Sequence, residues 1–129
     1  MAEDTVQLAY RIIEAFNRRE LDTFLDLMDP GVEAQSRLAV IEGEYQGHEG
    51  TRRWWANLLD AMPDLAVEVE DVQLRGDFTV ARLGLALSGP GTTQRSALWH
   101  VAQWRNGLVI WWSAHQSEAE ALEAVGLRL

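Results

Sequence analysis

The stretch from Ser96 to Ser117, SALWHVAQWRNGLVIWWSAHQS, constrains the fold more than any other. It holds four of the chain's six tryptophans and two of its three histidines. At its centre stands Asn106-Gly107. Asn-Gly is the strongest short signal for a hairpin, because a type I′ turn needs positive φ at both central residues. With a two-residue turn, Arg105 faces Leu108 and His100 faces Ser113. Directly paired residues share a face of the sheet. One face therefore carries Leu98, His100, Ala102 and Trp104 beside Val109, Trp111, Ser113 and His115. The other carries Trp99, Val101, Gln103 and Arg105 beside Leu108, Ile110, Trp112 and Ala114. A strand pair with one solvated face alternates apolar and polar residues. This one does not, so both of its faces are expected to be covered.

The first face groups two imidazoles, a hydroxyl and two indoles, which suits an apolar cavity with a few convergent polar groups. His100, Ser113 and His115 are the candidate catalytic residues, with His100 as the acid/base candidate. Ala102, Trp104 and Trp111 are candidate pocket residues. A plainer reading stands beside this one: a histidine on an apolar face is often a core residue bonded to a neighbour, and tryptophans pack. The second face, with Trp99, Val101, Ile110 and Trp112, is expected to form a homodimer interface, since the helices are too few to cover both sides.

Upstream, the apolar period is helical. Asp4 and Gln7 are placed as a capping box ahead of Val6, Ala9, Tyr10, Ile13 and Phe16. A short helix fits Glu20 to Met28, ended by Asp29-Pro30-Gly31. Val32 to Ile41 reads as a strand and loop, on which Gln35 and Arg37 alternate and offer polar groups to the cavity. Glu42 and Glu44 read as loop charges. HEGTRRWWANLLDAMPD reads as a helix whose stripe of Trp54, Trp55, Leu58, Leu59 and Met62 faces inward, and Pro63 stops it. Trp54, Trp55 and Leu58 are further pocket candidates. From Leu65 the period falls towards two, with a hairpin at Arg75-Gly76-Asp77 that sets Asp71 opposite Arg82. SGPGTTQR reads as a loop. Ser117 and Glu120 cap a last helix that ends at Gly126.

Helices first and strands later give an α+β domain with three to four helices and an antiparallel sheet. The 129 residues suit one domain, residues 1–129. There are no cysteines, which removes disulfides and thiolate chemistry. A formal net charge of −9 disfavours nucleic acid. No apolar run is long enough to span a bilayer, and the acidic start MAEDTVQLAY lacks a signal-peptide layout. The expectation is a cytoplasmic protein that uses neither nucleic acid nor membrane. GPG at 89–91 lacks the context of a phosphate loop. The hairpin has no carboxylate at a metal-binding spacing, so no metal or cofactor is expected.

The segments IIEAFNRRELDTFLDLMDPGVE, YQGHEGTRRWWANLLDAMPDLAVEVEDV, WRNGLV and EAEALEAVGL, in that order, resemble the SnoaL-like polyketide cyclases of the nuclear transport factor 2-like superfamily. The resemblance covers most of the chain. It implies a cone-shaped, cystatin-like α+β roll: a curved antiparallel sheet round a pocket, closed by helices and often dimeric through its outer face. It also implies a pocket aspartate as acid/base in an Asp-Arg-x-Glu-Ala-Leu pattern. Here SEAEAL places Ser117 at that position. Serine caps a helix about as well as aspartate but is far too weak a base to work alone. The ketosteroid isomerase branch would set its base at Ala34, its tyrosine at Ile12 and its oxyanion aspartate at His100. Asp71 and Arg82 are read as a cross-strand pair rather than part of an epoxide hydrolase site.

The functional expectation is a protein that binds a small, hydrophobic, polyketide- or steroid-like molecule, as an acid/base enzyme of cyclase, isomerase or hydrolase type. The alternatives are a binding protein without catalysis, or a dimeric adaptor that uses its outer sheet face.

Overall fold

The computed structural model describes the backbone of residues 4–38, 41–89 and 92–128, and the side chains of 4–36, 43–86 and 97–128. The element order is α1 (Thr5–Asn17), α2 (Leu21–Asp26), β1 (Met28–Leu38), β2 (Ile41–Gln46), α3 (Gly47–Ala61), β3 (Ala66–Arg75), β4 (Phe78–Gly89), β5 (Thr92–Arg105), β6 (Leu108–His115) and α4 (Glu118–Arg128). The six strands form one curved sheet in the order β2-β1-β6-β5-β4-β3. This is the α+β class that the sequence suggests.

The helices begin where side chains meet the orphan backbone N–H groups of a first turn. Asp4 accepts from the Val6 N–H at 3.0 Å. Ser117 accepts from the Glu120 N–H at 3.2 Å. Arg19, in the left-handed region at φ 59°, reverses the chain after α1. Its guanidinium donates to the carbonyls of Phe16 at 3.0 Å and Leu65 at 2.6 Å, tying α1 to the segment entering β3. Asn17 goes further. Its amide donates to the Val67 carbonyl at 2.7 Å and accepts from the Val67 N–H at 2.9 Å.

Several local expectations change. One strand pair, β1 with β6, is parallel, so the sheet is mixed rather than wholly antiparallel. Asp29-Pro30-Gly31 does not form a turn but lies in β1, where the register against β6 shifts between Met28 and Glu33. Proline is tolerated in a strand at such an irregularity, because it has no N–H to place in a ladder. The stretch around Glu42 and Glu44 is a strand, β2, paired in register with β1. SGPGTTQR is largely strand: Ser88 pairs with Thr93 and Gly89 with Thr92. The last helix runs past Gly126 to Arg128. Asp71 does lie opposite Arg82, but a bulge between Val69 and Asp71 brings Glu70 to the guanidinium instead, at 3.0 Å.

The largest correction is in the 96–117 hairpin. Its turn is the expected one: Asn106 has φ 54°, Gly107 has φ 79°, and Arg105 pairs with Leu108. Trp104 then pairs with Val109, but Gln103 pairs with Trp111. Ile110 is an extra residue with no partner, a β-bulge. Beyond it the register is offset by one, and a one-residue offset moves every later side chain to the other face. His100 pairs with Ala114, not Ser113, and His115 pairs with Trp99. The inner face, packed against α1, α2 and α3, carries Leu98, Ala102, Trp104, Val109, Trp112 and Ala114. The outer face carries Val101 and Trp111, packed with Phe78, Val80, Trp99 and Ile110 beneath Ala121 and Val125 of α4. Trp112, expected outside, is therefore inside, and Trp111 is the reverse. Val101, expected at an interface between subunits, is wholly buried within its own chain.

The turn geometry carries a stability cost that mutation should expose. Left-handed backbone costs a residue with a Cβ roughly 1–2 kcal/mol. Gly107→Val should destabilise by about that amount, and Asn106→Ala by about 1 kcal/mol. Urea unfolding with unchanged m-values would show both.

Candidate functional site

A cavity lies between the inner face of the sheet and helices α1, α2 and α3. It is lined by Ile12, Ile13 and Phe16 of α1, Phe24 of α2, and Trp54, Leu58 and Met62 near α3. Leu65, Val67, Leu83, Leu85, Leu98 and His100 complete the wall from the sheet side. Among the described residues, His100 is the single titratable side chain in that lining. The cleft and its mouth enclose about 510 Å³, but only about 50 Å³ of this is wide enough for water. A smaller void of about 10 Å³ adjoins it, sharing Ile12, Ile13 and His100 and bordered by Ala102, Trp104 and Thr79.

The sheet explains why the space is there. One row across the inner face runs Ser36, Ala114, His100, Ala81. The next runs Ala34, Trp112, Ala102, Thr79. Alanine on either side of a large ring leaves room above the sheet. The helices then bring aromatic groups down onto it. Trp54 meets Trp112 edge to face at 4.8 Å, and Phe16 and Phe24 approach Trp55 at 5.2 and 5.0 Å. Such pairs add about 0.5–1.5 kcal/mol each beyond the area they bury.

His100 stacks on Trp112, with centroids 5.4 Å apart and planes 28° apart. It is partly buried, and no hydrogen bond to a described residue holds either ring nitrogen. Desolvation in this apolar wall, with a smaller repulsion from His115, lowers its pKa from 6.5 to about 4. The ring is neutral at neutral pH, with one nitrogen to donate and one to accept.

The candidates named from the sequence separate into three groups. His100, Trp54 and Leu58 line the cavity, and Ala102 and Trp104 border the adjoining void. Trp55 lies behind, in the core with Phe16 and Phe24. Trp104 is also tied down, its Nε1 donating to Thr79 Oγ1 at 2.9 Å. Ser113, His115, Trp111 and Gln35 lie on the opposite side of the sheet from His100. There Ser113 Oγ and His115 Nε2 are 2.6 Å apart, both residues buried. Trp111, His115 and Gln35 edge an outer groove with Glu120, Glu123 and Arg128, whose guanidinium stacks on Trp111 at 4.4 Å. The expected cluster of His100, Ser113 and His115 is therefore two separate groups, parted by the register offset at Ile110. Ser117 caps α4 and is not in the cavity wall. The Arg37 side chain lies outside the described residues.

One site feature was missed in the sequence reading. Ser36 stands two strands from His100 in the same row, its hydroxyl buried without a hydrogen-bond partner. Alternation along β1 from Ala34 was the available signal. The third histidine, His48, bonds through Nε2 to the Met28 carbonyl at 2.9 Å and joins α3 to β1. Among the described residues no group of three His, Asp or Glu side chains is placed to hold a metal. No helix is long and apolar enough to cross a membrane.

The sequence model of a family described as the SnoaL-like domain matches residues 9–112. No functionally curated protein matches the sequence significantly. Solved structures with the same fold include a nuclear transport factor 2-like protein of unknown function from Burkholderia pseudomallei. It is 18% identical, with a TM-score of 0.80 over 95% of this chain and 97% of that one. IdmH from Streptomyces antibioticus, described as a putative polyketide cyclase, is 16% identical with a TM-score of 0.77, covering 96% and 99%. A protein from Jannaschia sp. CCS1, described as a putative SnoaL-like polyketide cyclase, is 20% identical with a TM-score of 0.75, covering 96% and 97%.

The depressed pKa of His100 has a measurable consequence. In the unfolded chain the imidazole takes a proton near pH 6.5, in the folded chain only near 4. Between those values the unfolded state binds more protons, so the His100 contribution to stability falls as pH drops from 6.5 to 4 and is level outside that window. The contribution is at most about 3 kcal/mol. In His100→Leu this part of the slope should vanish. Urea midpoints for both proteins at half-unit steps from pH 7.5 to 4 would check it.

Proposed function

The chain belongs to the SnoaL-like domain family, and on that premise we propose that its inner cavity binds a small, largely apolar molecule. The observation that carries this reading is His100, a neutral imidazole with no hydrogen bond to a described residue, in an otherwise apolar wall. A few placed polar groups in a mainly apolar cleft are the usual form of a small-molecule site. The cavity is tighter than such a ligand, so binding requires its walls to part. Met62, in the lining, is unbranched and adapts readily.

The role assigned to His100 is hydrogen bonding in its neutral form. A second reading makes it the general base of a cyclase- or isomerase-type reaction on a polyketide- or steroid-like substrate. Its free nitrogens favour that reading, as do the family and the two neighbours described as polyketide cyclases. A pKa of about 4 works against it, because a base is most effective when its pKa lies near the working pH.

The small ketone 1-tetralone separates the two. Its binding should quench tryptophan fluorescence, since Trp54 lines the cavity and Trp112 lies in ring contact with Trp54 and His100. His100→Gln should weaken that binding by about tenfold, the loss of one hydrogen bond. Exchange of the ketone's α-hydrogens in D2O, followed by NMR, should stay at the buffer rate with either protein. Exchange well above that rate, lost by a hundredfold in His100→Gln, would establish the general-base role instead.

A further inference from the structure

Of three neighbouring indoles, Trp54 lines the cavity, Trp104 borders the adjoining void and Trp112 lies behind Trp54 in ring contact with it, and their N–H groups are treated differently. That of Trp104 has an acceptor, Thr79 Oγ1. Those of Trp54 and Trp112 are buried and have none. An indole N–H is a donor only, so it has no alternative role to fall back on. Leaving such a donor buried and unmet costs about 1–3 kcal/mol, and native structures hold few such groups without a reason.

The two orphan donors are not scattered. Trp54 lines the cavity, its ring meets Trp112 at 4.8 Å, and Trp112 stacks on His100 at 5.4 Å. The hydroxyl of Ser36, also unmet, stands in the same row of the sheet as His100, with Ala114 between them. Nothing apolar in the wall can serve as acceptor. An acceptor oxygen brought in by a ligand would meet these donors.

Building on the small-molecule reading above, we propose that the indole N–H of Trp54, in the cavity wall, and that of Trp112, behind it and reached when the walls part, are the cavity's recognition groups. They donate to an acceptor oxygen, of carbonyl type, on an otherwise apolar ligand that lies beside His100. The class selected is therefore a flat or compact hydrocarbon skeleton carrying at least one carbonyl-type oxygen, in preference to the same skeleton without it. A ligand cation is disfavoured, since every unmet group named here except His100 and the serine hydroxyl is donor only.

The test is a pair of probes that differ by one atom's worth of chemistry: 1-tetralone, and tetralin, which lacks the carbonyl oxygen. The readouts are the two affinities and the indole N–H resonances of 15N-labelled protein, assigned with Trp54→Phe and Trp112→Phe. The wild-type protein should bind the ketone about tenfold or more tightly than the hydrocarbon, the effect of about one good hydrogen bond. The Trp54 and Trp112 signals should move downfield with the ketone alone. Trp54→Phe keeps an aromatic ring but loses the donor, and should reduce the preference of ketone over hydrocarbon to about threefold. Should Trp112→Phe not fold, Trp54→Phe carries the test. Equal binding of both probes with unmoved indole signals would overturn this proposal and leave the apolar cavity as a binding site. Failure of both probes to bind up to their solubility would overturn the two readings together.

Discussion

One unpaired residue, Ile110, decides which side of the sheet each later group of β6 occupies. Without it, Trp112 would face α4 and Trp111 would face the cavity. With it, Trp112 enters the inner core between Ala34 and Ala102. Everything at the site follows. Trp112 gives His100 its stacking surface and Trp54 its edge-to-face contact. The Ser113–His115 pair is sent to the other side, so neither residue stands beside His100 to anchor it. Bulges are often found where a strand must re-aim a side chain, and here the side chain re-aimed is a tryptophan of the inner face.

The aromatic contacts above the sheet do two jobs at once. Phe16, Phe24, Trp54, Trp55 and Trp112 connect α1, α2 and α3 to β6 through rings between 4.8 and 6.3 Å apart. That cluster supplies much of the apolar burial that holds the helices in place. It also makes the surroundings of His100 so poor in polar groups that the imidazole stays uncharged. The same packing that stabilises the domain thus sets the chemistry of its one titratable cavity residue. A partner group for His100 would raise its pKa, and none is present in the lining.

Much of this was legible in the sequence, and the parts that were not share a cause. Asn106-Gly107, Asp4, Ser117 and the Trp54-Leu58 stripe each announce a local geometry that depends on a few neighbouring residues. Those elements were found where their patterns placed them. The single-residue bulge has no such signature. An apolar run such as VIWW reads equally well in either register, and the choice rests on how β6 meets β1 and the helices. The faces of Trp111, Trp112, Ser113 and His115 went wrong together for that reason. The polar edge strand β2 was hidden by its two glutamates, because a strand that pairs on one side only tolerates charge. The rows Ser36-Ala114-His100 and Ala34-Trp112-Ala102 draw on three strands far apart in the chain, and no local period reveals them.

Asn17 has a bearing beyond its own two hydrogen bonds. β3 is an edge of the sheet, and an edge presents backbone donors and acceptors to any extended chain that drifts against it. At Val67 both groups are already taken, by one side-chain amide that mimics the peptide of a neighbouring strand. The end of α1 therefore acts as a stopper on that border. A seventh strand, from another copy or from a stray peptide, would have to displace the asparagine before it could pair along the first half of β3.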